Sequence, residues 1–121
     1  MTAIILEPRH APVSDFAAET LAELRDALTS ERALQEAVAA ERAATVIELT
    51  GQTDVDSILE REVAETSAAR ARDAIEDIDA ALARMDAGTY GRCESCGRSI
   101  PVERLEAIPH ARFCVTCAAL R

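Results

Sequence analysis

All four cysteines of the chain fall in its last quarter, as two Cys-x-x-Cys pairs: Cys93 with Cys96, then Cys114 with Cys117. Seventeen residues separate the pairs, which is the spacing of a four-thiolate zinc site. Each short turn aims two sulfurs at one point, and Zn²⁺ accepts four soft ligands tetrahedrally at about 2.3 Å. Gly91 and Gly97 flank the first pair, where tight turns need residues that tolerate positive φ. Four cysteines leave no coordination position open for water. One structural zinc on Cys93, Cys96, Cys114 and Cys117 is therefore expected, and no catalytic one.

Other cysteine chemistries fit less well. Two disulfides would need an oxidising compartment. The only early apolar run, Ile4-Ile5-Leu6, is too short for a secretory signal and lacks a basic flank. A redox Cys-x-x-Cys normally sits in a βαβ context, and no such pattern is present. His110, four residues before Cys114, could compete as a ligand. With four thiolates at hand it is expected to be a surface histidine.

Composition narrows the architecture. Aromatic residues make up 2% of the 121 residues, with no Trp, so a thick globular core is not expected. Alanine supplies 25 residues; it is the strongest helix former. The net charge is −9. Residues 1–89 carry 8 Arg against 19 acids, and residues 90–121 carry 5 Arg against 3. Four thiolates with Zn²⁺ would bring the finger close to neutral. Neither part offers the basic stripe of a nucleic-acid reader, and an acidic body repels phosphates. No apolar run approaches a membrane span, and the expected compartment is the cytoplasm.

The rest of the chain reads as two helices. Residues 1–13, with Pro8 and Pro12, are expected to form a flexible N-terminal segment. Ser14 can cap a helix beginning at Asp15, and no Gly or Pro interrupts the sequence from there to Leu49. Its apolar residues Leu21, Leu24, Leu28, Leu34, Val38 and Ile47 trace a narrow, interrupted stripe. Thr50-Gly51-Gln52-Thr53 breaks the pattern. Gly51 suits the left-handed position past a helix end, and Thr53 with Asp56 fits a helix start signal.

A second helix is expected from about Asp54 to Asp86. Ala64, Ala68, Ala71, Ile75, Ile78, Leu82 and Met85 step 4-3-4-3-4-3 along it, the coiled-coil heptad. Ile58, Leu59 and Val63 continue its apolar face toward the turn. Two helices of near-equal length with a short connection fold back on each other. The expected fold is mainly α: an antiparallel two-helix coiled-coil hairpin over 14–87, its tip at about 50–57, then a C4 finger over 88–121. A monomer is expected, with a dimeric four-helix bundle left open. Asp54 and Asp56 sit at the tip. Acids there complement the helix dipole, and they are equally placed for a functional role.

The run Asp86-Ala-Gly-Thr-Tyr90-Gly-Arg-Cys93-Glu-Ser-Cys96-Gly-Arg-Ser-Ile100, with Arg104-Leu-Glu-Ala-Ile-Pro-His110-Ala-Arg-Phe-Cys114-Val-Thr-Cys117, resembles the zinc finger of the DksA/TraR family. The resemblance covers residues 86–117. It implies a non-enzymatic, cytoplasmic bacterial transcription regulator that binds RNA polymerase and not a DNA sequence. In that family the coiled-coil tip enters the polymerase secondary channel while the globular part docks at its rim. The matching tip residues would be Asp54 and Asp56, although the better-known members space their aspartates Asp-x-x-Asp-x-Ala. Some members also bind ppGpp through basic residues of the finger. The matching positions here, Ile108 and Ala118, carry no charge, so independence of ppGpp is expected. Only four residues follow Cys117, so a C-terminal helix would be minimal or absent.

Two other functions fit the residues. A zinc-stabilised adaptor would use the hairpin to bind a different assembly. A thiol redox enzyme or sensor would need an accessible, low-pKa thiolate, which zinc-bound sulfurs do not supply.

Overall fold

The structure is a computed structural model, and it describes residues 18–120. The N-terminal segment 1–13 and the Ser14 cap lie outside the described residues. Helix α1 spans Ala18–Leu49 and α2 spans Val55–Ala87, and they pack together as an antiparallel hairpin. Two short helices follow, α3 at Val102–Ala107 and α4 at Val115–Ala119. No strand forms among the described residues; one isolated antiparallel bridge joins Arg92 and Ser99. Residues 18–28 with 78–120 make one compact unit, and Thr29–Asp77 make another.

The turn follows from its residues. Gly51 has a φ of 93°, a conformation in which a side chain is strained. Gln52 N–H returns to the carbonyl of Leu49 at 3.1 Å and closes the end of α1. The cap of α2 is Asp54, one residue after the Thr53 that the start signal suggests. Its Oδ2 accepts the N–H of Ser57 at 2.9 Å. Asp outranks Thr as a cap, which accounts for the choice.

The unit of Thr29–Asp77 buries Ala64, Ala68 and Ala71. Together with Ile75, Ile78, Leu82 and Met85 they form the expected α2 seam, half-buried at Ile75 and Leu82. The stripe of α1 needs correction. Leu34 is 58% exposed and Ile47 75%. Beyond Leu28 the half-buried positions of α1 are Arg32, Gln35, Val38, Ala39, Thr45, Val46 and Leu49, where Arg32, Gln35 and Thr45 interrupt the apolar residues, while Glu31 and Arg42 are exposed. Leu34 and Ile47 fall between seam positions. The polar seam residues find partners on their own helix. Gln35 donates to Glu31 at 2.7 Å, and the Thr45 hydroxyl donates to the carbonyl of Glu41 at 3.2 Å. Leu59 and Val63 likewise lie off the α2 seam and are exposed. There Ser57, Ile58 and Arg61 hold the half-buried positions, so of the three apolar residues expected on this face only Ile58 is partly covered.

The unit of 18–28 and 78–120 has the larger core. Leu24, Leu28, Ile78, Ala81 and Met85 bury with Tyr90, Cys93, Ile100, Leu105 and Ala111. Helices α3 and α4, of six and five residues, are too short to hold by propensity, so packing on this core fixes them. Leu28 is 1% exposed. Leu28→Ala is expected to cost about 2–5 kcal/mol in a denaturant titration, whereas Ile47→Ala should stay within about 0.5 kcal/mol. Equal losses in the two variants would contradict this register.

Candidate metal centre

The first cysteine pair sits on a tight turn. Cys93 N–H donates to Arg98 O at 2.8 Å, Gly97 N–H to Cys93 O at 3.0 Å and Ile100 N–H to Gly91 O at 2.7 Å. Gly97 has the expected positive φ, 77°. The second pair opens α4: Cys114 precedes its first residue and Cys117 lies one turn on. Ala118 N–H closes that turn on Cys114 O at 2.9 Å. A backbone bond stitches the two pairs together, from Glu94 N–H to Arg112 O at 2.9 Å.

The loop before Cys114 is pinned by side chains. The buried Tyr90 hydroxyl donates to Pro109 O at 2.8 Å, and Arg104 Nε donates to Phe113 O at 2.9 Å. Burial pushes the Tyr90 phenol up to about 12, against the nearby positive charge of Arg84. Tyr90 thus stays a neutral donor at physiological pH. Sequence reading gave Tyr90, Arg84 and Arg104 no role at the site. Only the Tyr-Gly just ahead of Cys93 marked the spot.

The four sulfurs converge. One Sγ from each of Cys93, Cys96, Cys114 and Cys117 lies within 4.8 Å of the others, and Cys96 Sγ is 3.9 Å from Cys114 Sγ. Bonds of about 2.3 Å in a tetrahedron set the sulfurs about 3.8 Å apart. A disulfide would need about 2.05 Å, and all four cysteines are free. Cys93 is buried, Cys114 and Cys117 are half-buried and Cys96 is exposed. Burial resists ionisation of Cys93, but N–H groups of Cys96, Cys114 and Ser95 directed at its sulfur bring it down to about 6. Hydrogen bonding to Cys114, then burial, pushes Cys117 up to about 12. Metal binding takes the thiolate form of each ligand, so a bound cation would displace the remaining thiol protons. The donor set, its spacing and its closed shell fit one Zn²⁺. His110 is half-buried and stands outside this cluster.

The tip aspartates have different surroundings. Asp54 holds the α2 cap, and the Ser57 bonds lower its pKa below the ordinary carboxylate value. Asp56 is exposed in the first turn of α2. No helix among the described residues is long and apolar enough to cross a membrane.

A closed tetrathiolate centre on a small helical finger, carried by a two-helix hairpin, defines a C4 zinc-finger protein. Residues 88–121 match the family described as the prokaryotic dksA/traR C4-type zinc finger. Related sequences match part of the chain. An uncharacterised protein of Aquifex aeolicus is 52% identical over 44 residues, 36% of this chain and 30% of that protein. General stress protein 16O of Bacillus subtilis is 50% identical over 48 residues, 40% and 29% of the two chains. The RNA polymerase-binding transcription factor DksA of Escherichia coli K12 is 41% identical over 51 residues, 42% and 34%. The matches thus span about a third of these relatives' length. In fold the likeness extends further: transcription factor DksA2 of Pseudomonas aeruginosa superposes with a TM-score of 0.75 at 23% identity, over 85% of this chain and 83% of that one.

Proposed function

We propose that this chain binds RNA polymerase and modulates promoter complexes without reading a DNA sequence and without catalysing a reaction. In this reading Cys93, Cys96, Cys114 and Cys117 hold one structural zinc. The hairpin carries its tip into the secondary channel as a monomer, in the cytoplasm. The supporting observation is the joint presence of a DksA/TraR-type finger and a DksA2-like fold across most of the chain. A two-helix hairpin suits a narrow entrance that a globule cannot pass. A negative charge brought near a Mg²⁺-dependent centre would perturb it through the field of the ion. Of the two aspartates, Asp56 is the better placed for that task, because Asp54 is engaged with Ser57.

The test is co-purification with core polymerase, then a crosslink from a photoreactive residue at position 56. A crosslink to polymerase segments lining the secondary channel is the expected result. Capture of some other assembly, with no polymerase, would replace this reading with the adaptor.

A second expectation concerns ppGpp. Ile108 ends α3 and Ala118 lies in α4, and neither supplies a charge for phosphate. The effect on transcription should be the same with and without ppGpp in a purified assay. Potentiation that disappears on mutating finger residues would contradict it.

A further inference from the structure

Arg84 stands in the last turn of α2, ahead of the stretch that matches the finger family. Its side chain is only 12% exposed. Holding a guanidinium out of water is costly unless its donors are used. Here they approach both halves of the sulfur scaffold, Nη2 through a hydrogen bond and Nη1 at ion-pair distance without one. Nη1 lies 3.5 Å from Glu94 Oε2, on the residue next to Cys93. Nη2 donates to the carbonyl of Ala111 at 3.3 Å, three residues before Cys114. Arg84 and Cys93 also line one open cleft of about 550 Å³, with Arg92 and Glu94.

We propose that Arg84 is a positioning residue of the zinc centre. Its guanidinium ties the first cysteine turn and the loop before the second to the end of α2. Its fixed charge also offsets a tetrathiolate that keeps two net negative charges when it holds Zn²⁺. The planar fork of Arg suits this task because its nitrogens diverge in a rigid plane. A lysine keeps the charge as a single point and cannot serve Glu94 and Ala111 O in the same way. The proposal rests on the assignment of zinc to the four cysteines.

The test follows zinc release from the full chain into an excess of chromogenic chelator, with far-UV CD recorded in parallel. Groups that orient metal ligands typically change metal affinity about 10–100-fold when replaced. Arg84→Gln is expected to release zinc faster by a factor in that range, with its helical signal kept. Arg84→Lys should fall between Gln and the parent. A merely structural arginine would lower the melting temperature equally with and without zinc and leave release unchanged; that result overturns the proposal. Should Arg84→Gln fail to fold, Arg84→Lys decides: faster release supports the bridge, and the parental rate rejects it. A parent chain that takes up no zinc would overturn the metal centre, and this proposal with it.

Discussion

Replacing Cys93 or Cys114 by Ser is expected to release the zinc and unfold residues 90–117, while most of the helical CD signal survives. The magnitudes decide this. Structural zinc contributes apparent binding free energies of about 10–16 kcal/mol in small fingers, and that energy is folding energy. The finger has little to put in its place: helices of six and five residues, one bridge, and a few side-chain bonds to carbonyls. Helices α1 and α2 have 32 and 33 residues and a seam of their own. The loss should still be felt at their ends, since Leu24, Leu28, Ile78 and Met85 pack in one core with Tyr90, Ile100 and Leu105. Amide NMR of the chelated chain is the measurement. Collapse of dispersion for 90–117, with helical signals from Thr29–Asp77 kept, is the expected pattern. An unchanged finger spectrum after chelation would remove zinc from its structural role.

The second large effect is on activity and leaves the fold intact. A variant with both Asp54→Asn and Asp56→Asn should fold and still bind polymerase, yet lose its effect on promoter complexes. Asn caps a helix about as well as Asp, so the Ser57 bond has a ready substitute. What disappears is two negative charges at the tip. The capping part has its own signature. The pKa of Asp54 is lowered in the folded chain, so its stabilising effect is present above the ordinary carboxylate range. It fades as the pH falls through the lowered value. With Asn at position 54 that acid-linked loss should vanish. Full activity of the double variant at saturating polymerase would rule out a charge-based role for the pair.

Much of this molecule was legible because its signals are local. Two Cys-x-x-Cys turns at a metal spacing, a Gly at a helix end and a 4-3 alternation each act within one helix or turn. The α1 register was harder to read. Leu34 and Ile47 look like seam residues because they are apolar, but the true seam passes through Gln35 and Thr45. Those two are satisfied by Glu31 and by the carbonyl of Glu41, bonds that a hydrophobic pattern does not register. The cap moved from Thr53 to Asp54 for a similar reason: several residues could accept the same N–H, and geometry chose. Arg84 was invisible as part of the metal centre because the link to Glu94 and Ala111 exists only once the chain has folded.

The alanine seam has a consequence for how the hairpin breathes. In Thr29–Asp77 the fully buried side chains among the described residues are Ala64, Ala68 and Ala71. Burying a Leu or Ile contributes about 1.5–3 kcal/mol; a lone methyl contributes far less. The unit therefore owes much of its order to the helical preference of its own backbone. Such a segment opens a few turns at a time, without waiting for global unfolding. Its amide hydrogens should exchange by local fraying, on a clock faster than those around Leu28, Ile78 and Leu105. The same looseness would let a tip adapt its last turns to whatever wall it meets, at small cost, while the cysteine-bound end keeps its shape.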